Sequence, residues 1–362
     1  MTPVSATDAA ARSETTELVR SLDTSLAAIL PITALLEAVE HDRHLDDATQ
    51  EALLGLGWAG MAVDESLGGL GLDAQARTAL AAVAGRRLLP AAMRSESVLL
   101  APALAALAVD GNAEAAGWLD RLLEGTLRGG AVVVAPPAGG ISDHAHSVLT
   151  PLAPGAELLA VVAADRIVVV PLAEAAIVEP FDALDRGQGY ARITLGEAVG
   201  RADRTIQGDR VRAILADWRL AVLGEAYGAG QRALEQAAEF AGQREQFGQT
   251  IVRFQAVSHR LAGMAVELEA CDAGIGRLAA GFDREEATED LGRVLLHRVP
   301  AGMRTVCESA IQVYGGMGFT WELGLHLHYR RVLSLQYEAG GHGATAEAVG
   351  VSYLANRKAT HG

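Results

Sequence analysis

Among the 362 residues are only two cysteines, Cys271 and Cys307, and they do not form a Cys-x-x-Cys pair. That is too few for a disulfide framework and leaves no redox or zinc motif. Lysine is almost absent: of 30 basic residues only Lys358 is a lysine, so basic work falls to arginine. Aromatics make up 4% of the chain, and no uninterrupted apolar run reaches the ~20 residues that a membrane helix needs. The longest candidate, near Leu158 to Leu172, is broken by Asp165 and Arg166. Asp8, Arg12, Glu14 and Glu17 near the N-terminus leave no apolar signal core, and a cytoplasmic location is the expectation. A net charge of −15 argues against a nucleic-acid partner, because nothing concentrates positive charge against phosphates.

What is present is helical texture with one interruption. From about Thr15 to Leu123 apolar residues recur three or four apart, with Gly/Pro breaks near 55–71, 90 and 102. From Gly129 the pattern becomes short β-branched runs: Ala131–Val134, Leu158–Val162, Ile167–Val170 and Tyr190–Leu195. Helical spacing returns at Asp209, with Val211, Leu215, Trp218 and Val222 on one face, and then Val257, Leu261, Met264 and Leu268 as a second stripe. Pro300 is expected to kink or divide a helix running from about Glu286 to Val313. The implied organisation is a helical region at 1–125, a small β region at 126–205 and a helical bundle at 206–362.

Three close histidine pairs, His41/His44, His144/His146 and His326/His328, lack a third convincing ligand and read as surface residues rather than a metal site. Nucleophile-elbow, Walker A and dinucleotide fingerprints are absent.

The most specific wording is Arg244-Glu245-Gln246-Phe247-Gly248-Gln249, then Phe254-Gln255, then Gln312-Val313-Tyr314-Gly315-Gly316 running to Gly318-Phe319. Together with Leu56–Glu65 and Gly68-Gly69-Leu70-Gly71-Leu72, this resembles the acyl-CoA dehydrogenase family. The resemblance covers roughly 50–110 and 205–335 well. It implies a mainly α fold with an N-terminal helical domain, a small middle β domain and a C-terminal helical bundle. FAD is the implied cofactor and an acyl-CoA thioester the implied substrate, with α,β-desaturation as the reaction.

The resemblance also assigns roles. Arg244 stands where the family places an arginine on the FAD pyrophosphate, and a planar guanidinium suits that bidentate contact. Phe247 is expected as a core anchor near the cofactor, and Gln255 offers amide groups to it. Gln312, Gly315 and Gly316 match a second FAD-contacting element, in which glycines let backbone approach closely. The family's base is a glutamate, and Glu245 matches one position that carries it. Glu338, in Tyr337-Glu338-Ala339-Gly340-Gly341, lies one residue off the other. Arg330 matches a family arginine expected to pair with a carboxylate.

The middle of the chain departs from the family. A Thr-Glu-Pro-x-x-Gly-Ser segment that supplies flavin contacts reads Ala135-Pro136-Pro137-Ala138-Gly139-Gly140-Ile141-Ser142 here. The later Gly-Thr-x-Glu/Gln element reads Gly340-Gly341-His342-Gly343. The elements that reach across a subunit interface are kept, and those that hold the chain's own flavin are eroded. The resemblance is therefore to the smaller subunit of heteromeric (α2β2) acyl-CoA dehydrogenases of actinobacterial steroid degradation, with a larger homologous partner completing a heterotetramer. A self-sufficient homo-oligomer, a non-catalytic subunit completing a partner's FAD site, and a flavin monooxygenase on the same fold are the alternatives.

Overall fold

The structure, a computed structural model, describes residues 6–41, 45–134, 147–196, 199 and 204–361. The N-terminal helices are α1 (Ala6–Ile29), α2 (Ile32–Glu40), α3 (Asp47–Leu54) and α4 (Ala74–Arg87). Helices α3 and α4 start where carboxylates cap free backbone N–H groups. Asp46 accepts from Thr49 N, and Asp73 from Ala76 N, each at 2.7 Å. Helix α5 (Ala91–Ser95) runs through a π-helical turn at Glu96–Leu100 into α6 (Ala101–Val109), and α7 (Ala113–Leu123) follows. The stretch Ala91–Val109 is long and apolar enough to cross a membrane, yet 78% of it is buried inside the protein, where it serves as a core helix.

Strands occupy Gly129 to Gln207. One sheet has the order β1 (Gly129–Val133), β3 (Leu158–Val162), β4 (Arg166–Pro171), β7 (Thr205–Gln207). Its β1–β3 pair is parallel and the other pairs are antiparallel. The second sheet is antiparallel in the order β2 (Ser147–Pro151), β6 (Tyr190–Leu195), β5 (Ala176–Pro180); a short helix α8 (Leu172–Ala175) precedes β5. Val132, Leu159, Val161, Val168 and Val170 of the first sheet meet Ala191, Ile193 and Leu195 of the second in a common core. β3 is buried at every position because it is covered on both faces.

The C-terminal bundle comprises α9 (Asp209–Gln243), α10 (Gln255–Asp283), α11 (Glu289–Tyr314), α12 (Leu325–Glu338) and α13 (Gly341–His361). Helix α9 packs against α4 at backbone distance. A Cβ at Gly228 would fall on the Ala82 carbonyl, and one at Gly85 on the Glu225 carbonyl, so only glycine permits the approach. All four residues of the stripe on α9 are buried. On α10, Met264 and Leu268 are buried while Val257 and Leu261 are half-buried. Pro300 lies inside α11 without dividing it.

The mainly α class with a small β region is the observed one. Three expectations are corrected. His326 and His328 are buried (8% and 2% exposed), not at the surface, because α12 packs both into the interior. Arg330 sits over the Trp321 ring, 5.5 Å from its centroid, and the carboxylate pairing belongs to its neighbour Arg331. One helical residue on turns the guanidinium by about 100°, from the rim into the core. Phe247 is 93% exposed and anchors no core. His44, His144, His146 and the Ala135–Ser142 segment lie outside the described residues.

Candidate functional site

Helix α9 ends at Gln243, and Arg244 is its first extended residue (φ −72°, ψ 122°). A two-residue ladder follows, β8 (Glu245–Gln246) against β9 (Gln249–Thr250), with Gln246 opposite Gln249. The intervening Phe247-Gly248 has φ +53° and +78°, the two positive angles of a type I′ hairpin. That geometry normally takes Asn-Gly. A phenylalanine there is strained by roughly 1–3 kcal/mol, and the turn directs its ring outward. Its one ring contact is edge-on to Phe254, with centroids 6.2 Å apart.

Around this tip the sequence-selected side chains are exposed. Arg244, Glu245, Gln255 and Gln312 are all on the surface, and none of their side chains has a hydrogen bond or ion pair among the described residues. A phenylalanine held at positive φ with its ring in water is costly to maintain unless something else occupies the face.

The second element is drawn to the same end of the bundle. Tyr314 closes α11, its ring stacked on Phe240 of α9 with centroids 4.2 Å apart and planes at 19°, and its hydroxyl donates to Gln236 O at 3.0 Å. Phe240 lies one helical turn before Arg244. Gly315 caps α11 at φ +62°, and a Cβ on Gly315 or Gly316 would meet nothing within 4 Å, so both present bare backbone to open space. Met317, Phe319 and Trp321 continue the exposed apolar surface at 46%, 75% and 39%.

The donor set fits a dinucleotide pyrophosphate. It offers one uncommitted guanidinium, primary amides and unobstructed glycine backbone. Glu245 shares the hairpin and is exposed on it.

A separate cavity of about 360 Å³ opens between the β region and α9. It is lined by Ser95, Leu99, Trp218, Thr150, Tyr337 and Glu338 with strand residues of β1 and β2. Beneath it lies a buried ionic chain that the sequence reading did not find. Arg94 pairs with both Glu225 and Glu338, and Arg331 with both Glu225 and Asp185, at 2.8 Å to the latter. Tyr190 donates to Glu338 at 2.8 Å. Burial opposes the Arg94 charge, but Glu225 and Glu338 more than offset that and raise its pKa. The only signal in the sequence was Glu338 itself; its partners lie in elements far apart in the chain. No group of three or more His, Cys, Asp or Glu residues able to hold a metal is found among the described residues.

Residues 208–351 match the family model described as acyl-CoA dehydrogenase, C-terminal domain. Acyl-CoA dehydrogenase FadE34 of Mycobacterium tuberculosis is 30% identical over 336 residues, covering 90% of this chain but 46% of FadE34. The chain thus spans about half the length of that relative. Two solved structures superpose along nearly the whole chain. One is the Tcur3481-Tcur3483 steroid ACAD G363A variant (TM-score 0.81, 23% identity, 96% of this chain and 99% of that one). The other is the ChsE4-ChsE5 complex from Mycobacterium tuberculosis (TM-score 0.81, 20% identity, 94% and 97%). The chain has the acyl-CoA dehydrogenase fold, and its residues 208–351 are similar to that family's C-terminal domain.

Proposed function

We propose that this chain is a subunit of an FAD-dependent acyl-CoA dehydrogenase acting in α,β-desaturation of an acyl-CoA thioester. Its partner in this reading is a larger homologous subunit in a heterotetramer. The carrying observation is the exposed face itself: Arg244 without a partner, Phe247 held at positive φ, and the open Gly315-Gly316 backbone, all at one end of the bundle. Such a face is complete only when another surface covers it. Support comes from two structural neighbours named as paired proteins, Tcur3481-Tcur3483 and ChsE4-ChsE5. The steroid description of the first makes a steroid-derived acyl group the leading substrate class.

FAD, when bound, supplies the acceptor for the hydride leaving the thioester's Cβ. Arg244 would hold the pyrophosphate by charge-assisted hydrogen bonds, Gln312 and Gln255 would donate amide N–H groups, and Gly315 and Gly316 would admit the ligand against backbone. Phe247 would exclude water from that contact.

Glu245 acts as the base in this reading only if the partner buries it, since a fully hydrated glutamate is a weak base. Its exposure favours a second reading, in which this chain completes the flavin site and the α-proton goes to a group on the partner.

The test is co-expression with a longer homologue, followed by size-exclusion chromatography and flavin analysis of the complex. Co-elution is expected, and Arg244→Ala should weaken FAD retention by roughly 10- to 100-fold, the loss of one charge-assisted contact. Retention unchanged in Arg244→Ala would remove the face from the flavin site.

A further inference from the structure

Among the described residues, Glu338 is the one acidic residue on the wall of the cavity between the β region and α9. By position it is the natural alternative to Glu245 as the base. Its side chain is 12% exposed, and each oxygen already accepts a hydrogen bond, one from Tyr190 Oη at 2.8 Å and the other from the Arg94 guanidinium. Arg94, at 6% side-chain exposure, also donates to Glu225, which accepts from Arg331, which donates to Asp185. The chain Tyr190–Glu338–Arg94–Glu225–Arg331–Asp185 therefore runs from β6 through α12, α5 and α9, and back to the loop before β6.

The charges in this chain are two guanidinium groups against three carboxylates, with Arg330 close enough to act on Asp185. Protonating Glu338 would take away one of the two carboxylates that Arg94 holds and strand part of a buried cation. A general base needs a lone pair turned to the substrate and free to accept. Here each oxygen is already engaged by a donor of the protein, Tyr190 on one and Arg94 on the other.

We propose that Arg94 is a positioning residue that pins Glu338 against Tyr190, closing this cavity to proton abstraction and making the carboxylate part of a clamp between the three regions. This rests on the reading of the complex as an acyl-CoA dehydrogenase only for its consequence, that the base lies elsewhere. The pinning itself is a property of this chain.

Two measurements test it. In the full chain labelled with [δ-¹³C]glutamate, the Glu338 resonance is identified by its loss in Glu338→Gln, or by its displacement in Tyr190→Phe should the first variant not fold. Arg94→Met should displace that resonance at neutral pH, because the carboxylate loses its charge-assisted partner, and Arg94→Lys should restore part of the displacement. An unmoved resonance in Arg94→Met overturns the pinning. In the flavin-loaded complex, Glu338→Gln should reduce flavin with acyl-CoA within about twofold of wild type. A loss of ~10²- to 10⁴-fold with FAD still bound would make Glu338 the base and overturn the proposal. If no acyl-CoA reduces the wild-type flavin, the proposed reaction fails while the resonance displacement still decides the pinning.

Discussion

The rings of Phe240 and Tyr314 lie 4.2 Å apart and nearly parallel, joining the last turns of α9 and α11. That stack places Arg244 and the Gln312–Gly316 corner on one surface, although 68 residues separate Arg244 from Gln312 in the chain. Replacing Tyr314 with leucine removes the stack and the hydroxyl bond to Gln236. A stability loss of about 1–2 kcal/mol is expected in chemical denaturation. FAD retention in the complex should fall as well, because the two contact elements lose their shared register. A variant that loses stability but binds flavin as wild type would separate the corner from the site.

Glu245 is exposed on a two-residue strand. Glu245→Gln in the complex is expected to reduce flavin within about threefold of the wild-type rate, with FAD bound normally. Stopped-flow absorbance at the flavin band measures this directly. A drop of ~10²-fold or more would show that the partner buries this carboxylate and that it abstracts the α-proton.

Acid should weaken the fold through His328. The ring is buried against α4, with Nε2 3.2 Å from Arg86 O, and burial lowers its pKa from 6.5 to about 4. A group kept neutral in the fold contributes stability that is complete above its unfolded pKa. That stability drains away as pH falls from about 6.5 to 4, by up to about 3 kcal/mol. His297 and His326 shift in the same direction, again chiefly through burial. Burial raises the pKa of Glu96, Asp185 and Asp217, which works with the opposite sign: the cost of their buried charge is relieved as pH falls through the raised folded pKa, and the relief is complete below the ordinary carboxylate range. Melting temperatures from pH 7.5 to 5 should fall, and His328→Gln should flatten that slope. An equal slope in the variant would assign the acid sensitivity to other groups.

The helices were legible because their apolar spacing is long and regular, as in Val211, Leu215, Trp218 and Val222. The central strands were legible because burial on both faces leaves continuous runs such as Leu158–Val162. The strands β2, β5 and β7 went unnoticed. All three are edge strands, two of them ending in proline, with too few apolar residues to stand out. At the candidate site the motif residues were legible and their setting was not. A type I′ turn is written by φ angles at Phe247-Gly248 that Phe ordinarily avoids, so the ring was expected inside. The ionic chain under the cavity joins Arg94, Asp185, Glu225, Arg331 and Glu338 across up to 244 positions, and no local pattern encodes such pairing.

The central claim is that this chain lends a face to a flavin site it does not complete alone. Flavin absorbance per polypeptide measures it most directly, for the chain expressed singly and for the complex with its larger homologue. The expected result is little or no FAD on the single chain and about one FAD per heterodimer in the complex. Stoichiometric FAD on the singly expressed chain would contradict it.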